Sequence, residues 1–539
     1  MTNKYFISTI FYFLFLSYSE AQNYTIVLGR PTDTSITASI LFDQNVNYYL
    51  KYGETQSNLS DSTVTYTNVL NVPDEIDLRH LQKNTKYYYV LNYKLATSSI
   101  FLTSPIYSFQ TQRDSTTRFT FTVEADEHLY DRSMGSPNLY KVNLSNQQKD
   151  TGDFMISLGD IFGDDHTPYT TTSDQMKAKH LYYRQYLGNL CHSVPFFVCL
   201  GNHEGENDFY LNSTPPNNIA TYATLWRKYY YPNPYSNTFY SGNTSAEAYG
   251  MNLPENYYSW TWGNALFVVL DIYRDQCDTS ADPKKWNWTL GLPQYTWFKN
   301  VLEGSHAKYK FVFTHHPNGQ QRGGANCAKL YEWGGYEKTP QGAYIYKFTQ
   351  NRPGWAKPIH QLMVDNGVTI LFQGHDHLFA KEDLDGIVYQ EVPMAADSTY
   401  QSGVTDWGSY YSNNVLDGSG HIKVTVDTSC VKVDYVRAYL PADTIGGIHH
   451  NREVAFSYTI GSCESAIFTF TGNGNWTEAG NWENNQIPPT TLSSGEMIIV
   501  NPIDGGNCIL NTMQNVSQGA NIIIKPNKKL IVKGNLNIQ

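Results

Sequence analysis

The chain has 539 residues, a net charge of −11, and 41% hydrophobic against 16% charged residues. That length exceeds one ordinary core and points to about three domains. The composition excludes a disordered chain, and the acidic balance makes neither a nucleic-acid scaffold nor an anionic membrane surface an expected partner.

Residues 1–21 read as a signal peptide: Lys4 supplies the positive charge, Phe6 to Leu16 a short apolar run, and Ser19-Glu20-Ala21 the small residues of a cleavage site. The run is shorter than the roughly 20 residues of a membrane span, and no other stretch is long enough to cross one. The expectation is an exported protein with no transmembrane segment, secreted or held in the periplasm or at the cell surface.

Residues 22–113 alternate apolar and polar side chains between turn residues, the pattern of short antiparallel strands. Strands are predicted over Thr34–Leu41, Tyr48–Tyr52 and Tyr107–Thr111. The run from Leu81 through Thr85 and Tyr87 to Val90 resembles the fibronectin type III signature. That resemblance places the Tyr87 hydroxyl at a corner, tied back to the main chain.

From 114 to 442 the grammar becomes α/β. Apolar runs at Phe119–Val123, Phe154–Leu158, Val194–Leu200, Phe311–Thr314 and Val368–Phe372 alternate with helices predicted near 172–188, 294–303 and 356–366. A polar cluster follows each apolar run: Asp126-Glu127-His128, Gly159-Asp160, Gly201-Asn202-His203-Glu204, His315-His316-Pro317 and Gly374-His375-Asp376-His377. The C-terminal ends of strands are where open α/β sheets place their ligands. Residues 443–466 read as a linker. Residues 467–539 read as a small all-β module with the look of a solenoid fragment, one suited to cell-surface association.

The seven cysteines form no C-x-x-C pair, which argues against a zinc ribbon. Cys277 with Cys327 is the favoured disulfide, because both fall in loops expected beside the clusters.

The five clusters supply carboxylates and imidazoles enough for two cations, a device for attacking phosphate esters. Their order and spacing resemble the calcineurin-like metallophosphoesterase superfamily. With a fibronectin-like domain in front, the chain further resembles secreted purple acid phosphatases over about 22–440. The resemblance implies a metallophosphoesterase β-sandwich core flanked by helices. It implies that Asp126, His128 and His377 hold one metal, that Asp160 bridges, and that Asn202, His315 and His375 complete the second. A water between the two ions would become the attacking hydroxide. His203 would protonate the leaving group or stabilise the transition state.

The same resemblance, whose members place the ligand two residues before a Pro, implies His315 as the ligand and leaves His316 behind it or facing substrate. Glu204, Asp164 and Asp165 are candidates to orient or tune His203. Arg322 is placed either to hold a phosphate oxygen or to face solvent. Purple members carry Gly at position 128 and Tyr at position 163, where this chain has His128 and Gly163. The resemblance therefore implies two metals among Fe, Mn and Zn, without the tyrosinate colour.

The resulting expectation is hydrolysis of a small phosphomonoester. The alternatives are a phosphodiesterase acting on nucleotides or lipid headgroups, and an inactive surface-binding protein that keeps the hydrolase core.

Overall fold

The computed structural model describes residues 24–130, 134–162, 168–207, 210–211, 214–275, 286–319, 321–412, 414–463, 467–492, 495–517 and 519–538. Two compact units result, one built from the chain up to Thr428 with Lys432–Tyr458, the other from Ser429–Val431 with Thr459–Gln539.

The first unit begins with two antiparallel sheets. Tyr24–Gly29, Ser35–Phe42 and Asp74–Arg79 form one; Val46–Gly53 and Lys86–Leu95 are the spine of the other. Alternating residues from both, among them Ile26, Ile40, Phe42, Tyr48, Leu50 and Tyr89, bury into one shared core. The backbone N–H of Gln82 donates to the Tyr87 hydroxyl at 2.8 Å, so the expected corner is present. This sandwich docks on the α/β region of the same unit: Leu28 N–H donates to Cys191 O, and the Tyr89 hydroxyl to His192 O.

Two further sheets face each other in the stretch from Phe119 to Gly461. The first runs Phe196–Val198, Met155–Ser157, Phe119–Glu124, Gly420–Val426, Cys430–Arg437, Val454–Gly461. The second runs Ser241–Gly242, Tyr258–Trp262, Ala265–Val269, Tyr309–Phe313, Ile370–Gln373, Ile387–Glu391, Ala380–Leu384. Aromatic rings fill the space between them: Phe121 lies 5.1 Å from Phe267 and 5.5 Å from Phe311, and Phe197 stacks on Trp260 at 4.2 Å. Offset and edge contacts of this kind add to the burial of large apolar area. Helices Ser173–Leu187, Gly291–Gly304 and Ile359–Asp365 lie close to their expected positions.

Two expectations need correction. Residues 443–466 are not simply a linker, because Val454–Gly461 is the outer strand beside Cys430–Arg437. Cys327 is a buried free thiol whose Sγ lies 3.0 Å from Arg322 O, while Cys277 lies outside the described residues. Among the described residues a disulfide joins Cys430 to Cys463.

The second unit stacks three three-stranded parallel sheets. Ile498 pairs with Phe468 on one side and Ile522 on the other, and Cys508 pairs with Gly474 and Leu530. This is the coil-on-coil stacking of a short solenoid, with Trp476 and Trp482 buried in its core.

Candidate metal centre

Five of the sheet strands end beside one another, and main-chain bonding continues past them into the clusters. Asp126 N–H donates to Gly159 O, His128 N–H to Asp160 O and Gly374 N–H to His315 O. The His375 N–H donates to Asp126 Oδ2 at 2.9 Å, which links the turns of the two sheets. The ligand turns are strained in a specific way. Asp126, His128, Asp160, His375 and His377 all take positive φ, between 42° and 80°. Non-glycine residues seldom adopt this region, and such strain gathers at functional sites. Gly201 has no substitute, because a Cβ there would stand 2.2 Å from Asp160 Oδ1.

Six of the expected ligands fall into two groups whose ligand atoms lie within 4.8 Å of one another: Asp126, His128 and His377, and Asp160, His315 and His375. All six are buried. His128 Nε2 is 3.1 Å from His377 Nε2, and Asp126 Oδ1 is 3.5 Å from His377 Nε2. His315 Nδ1–H donates to Leu158 O at 3.0 Å, which turns Nε2 toward Asp160 Oδ2 at 2.9 Å. A hydrogen bond at one ring nitrogen is how a ligating His is oriented. Asn202 is buried on the adjoining loop.

The residues fit cations. Asp126 Oδ1 and His375 Nε2 are buried without a hydrogen-bond partner among the described residues. Burial raises the Asp126 carboxyl to about 7. Burial works against a charged His315 ring, yet Asp160 and Asp126 raise it to about 9. Asp160 resists its own burial and is held well below the carboxylate range by the His315 and His203 rings. Positive charge is therefore favoured where these side chains converge. Carboxylate and imidazole suit Mn, Fe or Zn.

His203 sits at the edge of this cluster. Its N–H donates to Asp160 Oδ1 at 2.8 Å, and its Nε2 is 3.8 Å from Asp160 Oδ2. The side chain is 14% exposed, against 0–5% for His128, His315 and His377. With His128 and Asp160 it also makes a third grouping at ligand distance.

Glu204 ties loops together: its carboxylate accepts the N–H groups of Asp160, Ile161 and Gly201. His316 follows His315 in sequence and is buried. Its Nδ1 accepts Asn318 N–H and its Nε2 lies 3.2 Å from Gly323 O, so the ring braces its own loop. Burial and then the Arg322 charge hold His316 and His375 well below the usual imidazole range. Asp164 and Asp165, like Gly163, lie outside the described residues.

The sequence reading missed the bed beneath the first group. Glu124 is buried and accepts from Tyr140, Asn143 and Gln147. Glu127 is buried and accepts from Ser157 and Tyr183. Burial raises Glu124 to about 7 and Glu127 well above its ordinary value. Ser402 was also missed; its hydroxyl lies 3.2 Å from His377 Nδ1.

Residues 119–379 match the family model for calcineurin-like phosphoesterase. This chain carries a calcineurin-like phosphoesterase domain. Among solved structures it resembles PhoD, at 15% identity and TM-score 0.58 over 81% of this chain and 90% of that one. It also resembles the purple acid phosphatase PPD1 from seeds of yellow lupin (Lupinus luteus), at 14% identity and TM-score 0.54 over 81% and 74%. At such identities these likenesses speak to the fold. No curated protein matches the sequence.

Proposed function

We propose that the metallophosphoesterase domain hydrolyses phosphomonoesters with two cations, and that the protein is exported. The observation that carries the reading is the convergence of six buried ligands from two sheets into two adjoining groups. When bound, a cation pair supplies an activated water and offsets charge on the phosphoryl group.

The chain's own residues do the rest. Asp160 lies in one group with His315 and His375 and in another with His128 and His203, the position of a bridging carboxylate. His128 beside Asp126 supports a first site of the D-x-H kind. Glu204 fixes the Asp160 loop against the Asn202 loop. His203, the more exposed imidazole, is the group able to meet a leaving oxygen and hand it a proton, since its ordinary pKa lies near neutral pH.

Export is supported by the apolar N-terminal run and by the Cys430–Cys463 disulfide, which suits an oxidising compartment. No helix among the described residues is long and apolar enough to cross a membrane.

The test is hydrolysis of p-nitrophenyl phosphate against bis(p-nitrophenyl) phosphate with added Mn²⁺ or Zn²⁺. Faster turnover of the monoester is expected. Preference for the diester would overturn the monoesterase reading, and hydrolysis of neither would end the enzyme reading.

A further inference from the structure

Arg322 stands over the histidine pair His375 and His377 in an unusual setting. Its Nη1 donates to His375 O at 2.6 Å and to Asp376 Oδ1 at 2.9 Å. Asp376 is itself buried, with Oδ2 accepting from Gly323 N–H and lying 2.7 Å from the Tyr411 hydroxyl. The guanidinium carbon lies 4.0 Å from the Trp407 ring centroid. That indole in turn meets the His377 ring edge-on at 5.2 Å. The start of the short helix Val404–Trp407 is pressed onto the ligand turn, since a Cβ at its N-cap Gly403 would stand 2.1 Å from Asp376 O.

The guanidinium is thus fixed on two sides. One edge is spent on Asp376 and the main chain, and one face is covered by an indole. Its Nε and Nη2 hydrogens make no hydrogen bond to a described residue, and the side chain is 25% exposed. A guanidinium whose Nε–Nη2 fork is open among the described residues and whose orientation is already set matches the oxygens of an oxyanion. Preorganisation means that little rotamer freedom is lost when the anion arrives.

Resting on the phosphoesterase reading above, we infer that Arg322, held by Asp376 and Trp407, binds a terminal anionic oxygen of the substrate phosphoryl group and so selects monoesters over diesters. A monoester dianion offers the fork a charged oxygen. A diester has only two charged oxygens against the monoester's three, so with both of those engaged elsewhere in the site the fork meets an ester oxygen, a weaker, uncharged acceptor carrying a bulky substituent. Trp407 acts through Arg322 and is a positioning residue.

The experiment compares the cation-loaded wild type with Arg322→Ala, Arg322→Lys and Trp407→Leu. The readout is the ratio of kcat/KM for p-nitrophenyl phosphate to that for bis(p-nitrophenyl) phosphate, with cations counted per chain. Arg322→Ala should lower the ratio about 10- to 100-fold. Arg322→Lys should recover only part of it, because an ammonium has no fork, and Trp407→Leu should lower it about 2- to 10-fold.

Calorimetric binding of inorganic phosphate and of dimethyl phosphate gives a second measure. Arg322→Ala should weaken phosphate more than dimethyl phosphate by the same factor. An unchanged ratio with unchanged phosphate affinity overturns the inference. Loss of bound cations in Arg322→Ala also overturns it, since Arg322 would then be a brace for the histidine turn. If the wild type cleaves neither ester, the phosphoesterase reading fails on its own, and the calorimetric comparison still decides the role of Arg322.

Discussion

Asp150→Asn removes one charge from a buried network that steadies the floor of the metal centre. Asp150 closes the helix Pro137–Asp150, whose Tyr140, Asn143 and Gln147 hold Glu124 two residues before Asp126. Its carboxylate lies 2.7 Å from His421 Nε2, 2.8 Å from Arg452 Nη2 and 3.6 Å from Lys423 Nζ. Burial alone would raise it, but His421, Lys423 and Arg452 together lower it from 3.8 to about 2.

A depressed carboxyl pKa means that the unfolded chain binds more protons between those values, so stability rises with pH there. The carboxylate is then worth about 2.4 kcal/mol at neutral pH, falling to about 1.3 kcal/mol at pH 3 and under about 0.5 kcal/mol at pH 2. Asn stands in for the protonated form, so the wild-type advantage should follow the same curve. Urea unfolding of both proteins at pH 7, 4 and 3, read by tryptophan fluorescence, measures it. A gap below about 0.5 kcal/mol at pH 7, or one equal at pH 7 and pH 3, would refute the reasoning.

Two other outcomes are expected. His203→Ala should lower turnover about 10²- to 10⁴-fold while both cations stay bound; loss of a cation, measured by elemental analysis, would make His203 a ligand in the third grouping. Cys463→Ser opens a covalent loop between residues 33 apart; chain entropy makes this cost about 3–4 kcal/mol, and urea unfolding of the variant should become indifferent to reductant.

The metal centre was legible because each of its clusters follows an apolar run, so period and polarity change together at every strand end. The bed beneath it was not. The helix Pro137–Asp150 lacks an apolar stripe because part of its buried face carries Asn143, Asn146 and Gln147, amides turned to Glu124 and Asn451. Hydrophobic periodicity cannot find such a helix, although Ser136 followed by Pro137 is a readable start signal. Val454–Gly461 was overlooked despite its alternation, since the glycines and histidines just before it read as loop. Ser402 lies in a loop and Trp407 ends the short helix Val404–Trp407 that follows it, and only the fold brings them to His377. The Cys430–Cys463 pairing depends on the neighbouring strands that hold those residues, which spacing alone does not give.

The most direct test is a cation titration of the chelated protein, following phosphate release from p-nitrophenyl phosphate as Mn²⁺ or Zn²⁺ is added. Turnover should rise until two ions are bound per chain and then level off. A plateau at one ion, or no turnover at any loading, would contradict a two-cation phosphoesterase.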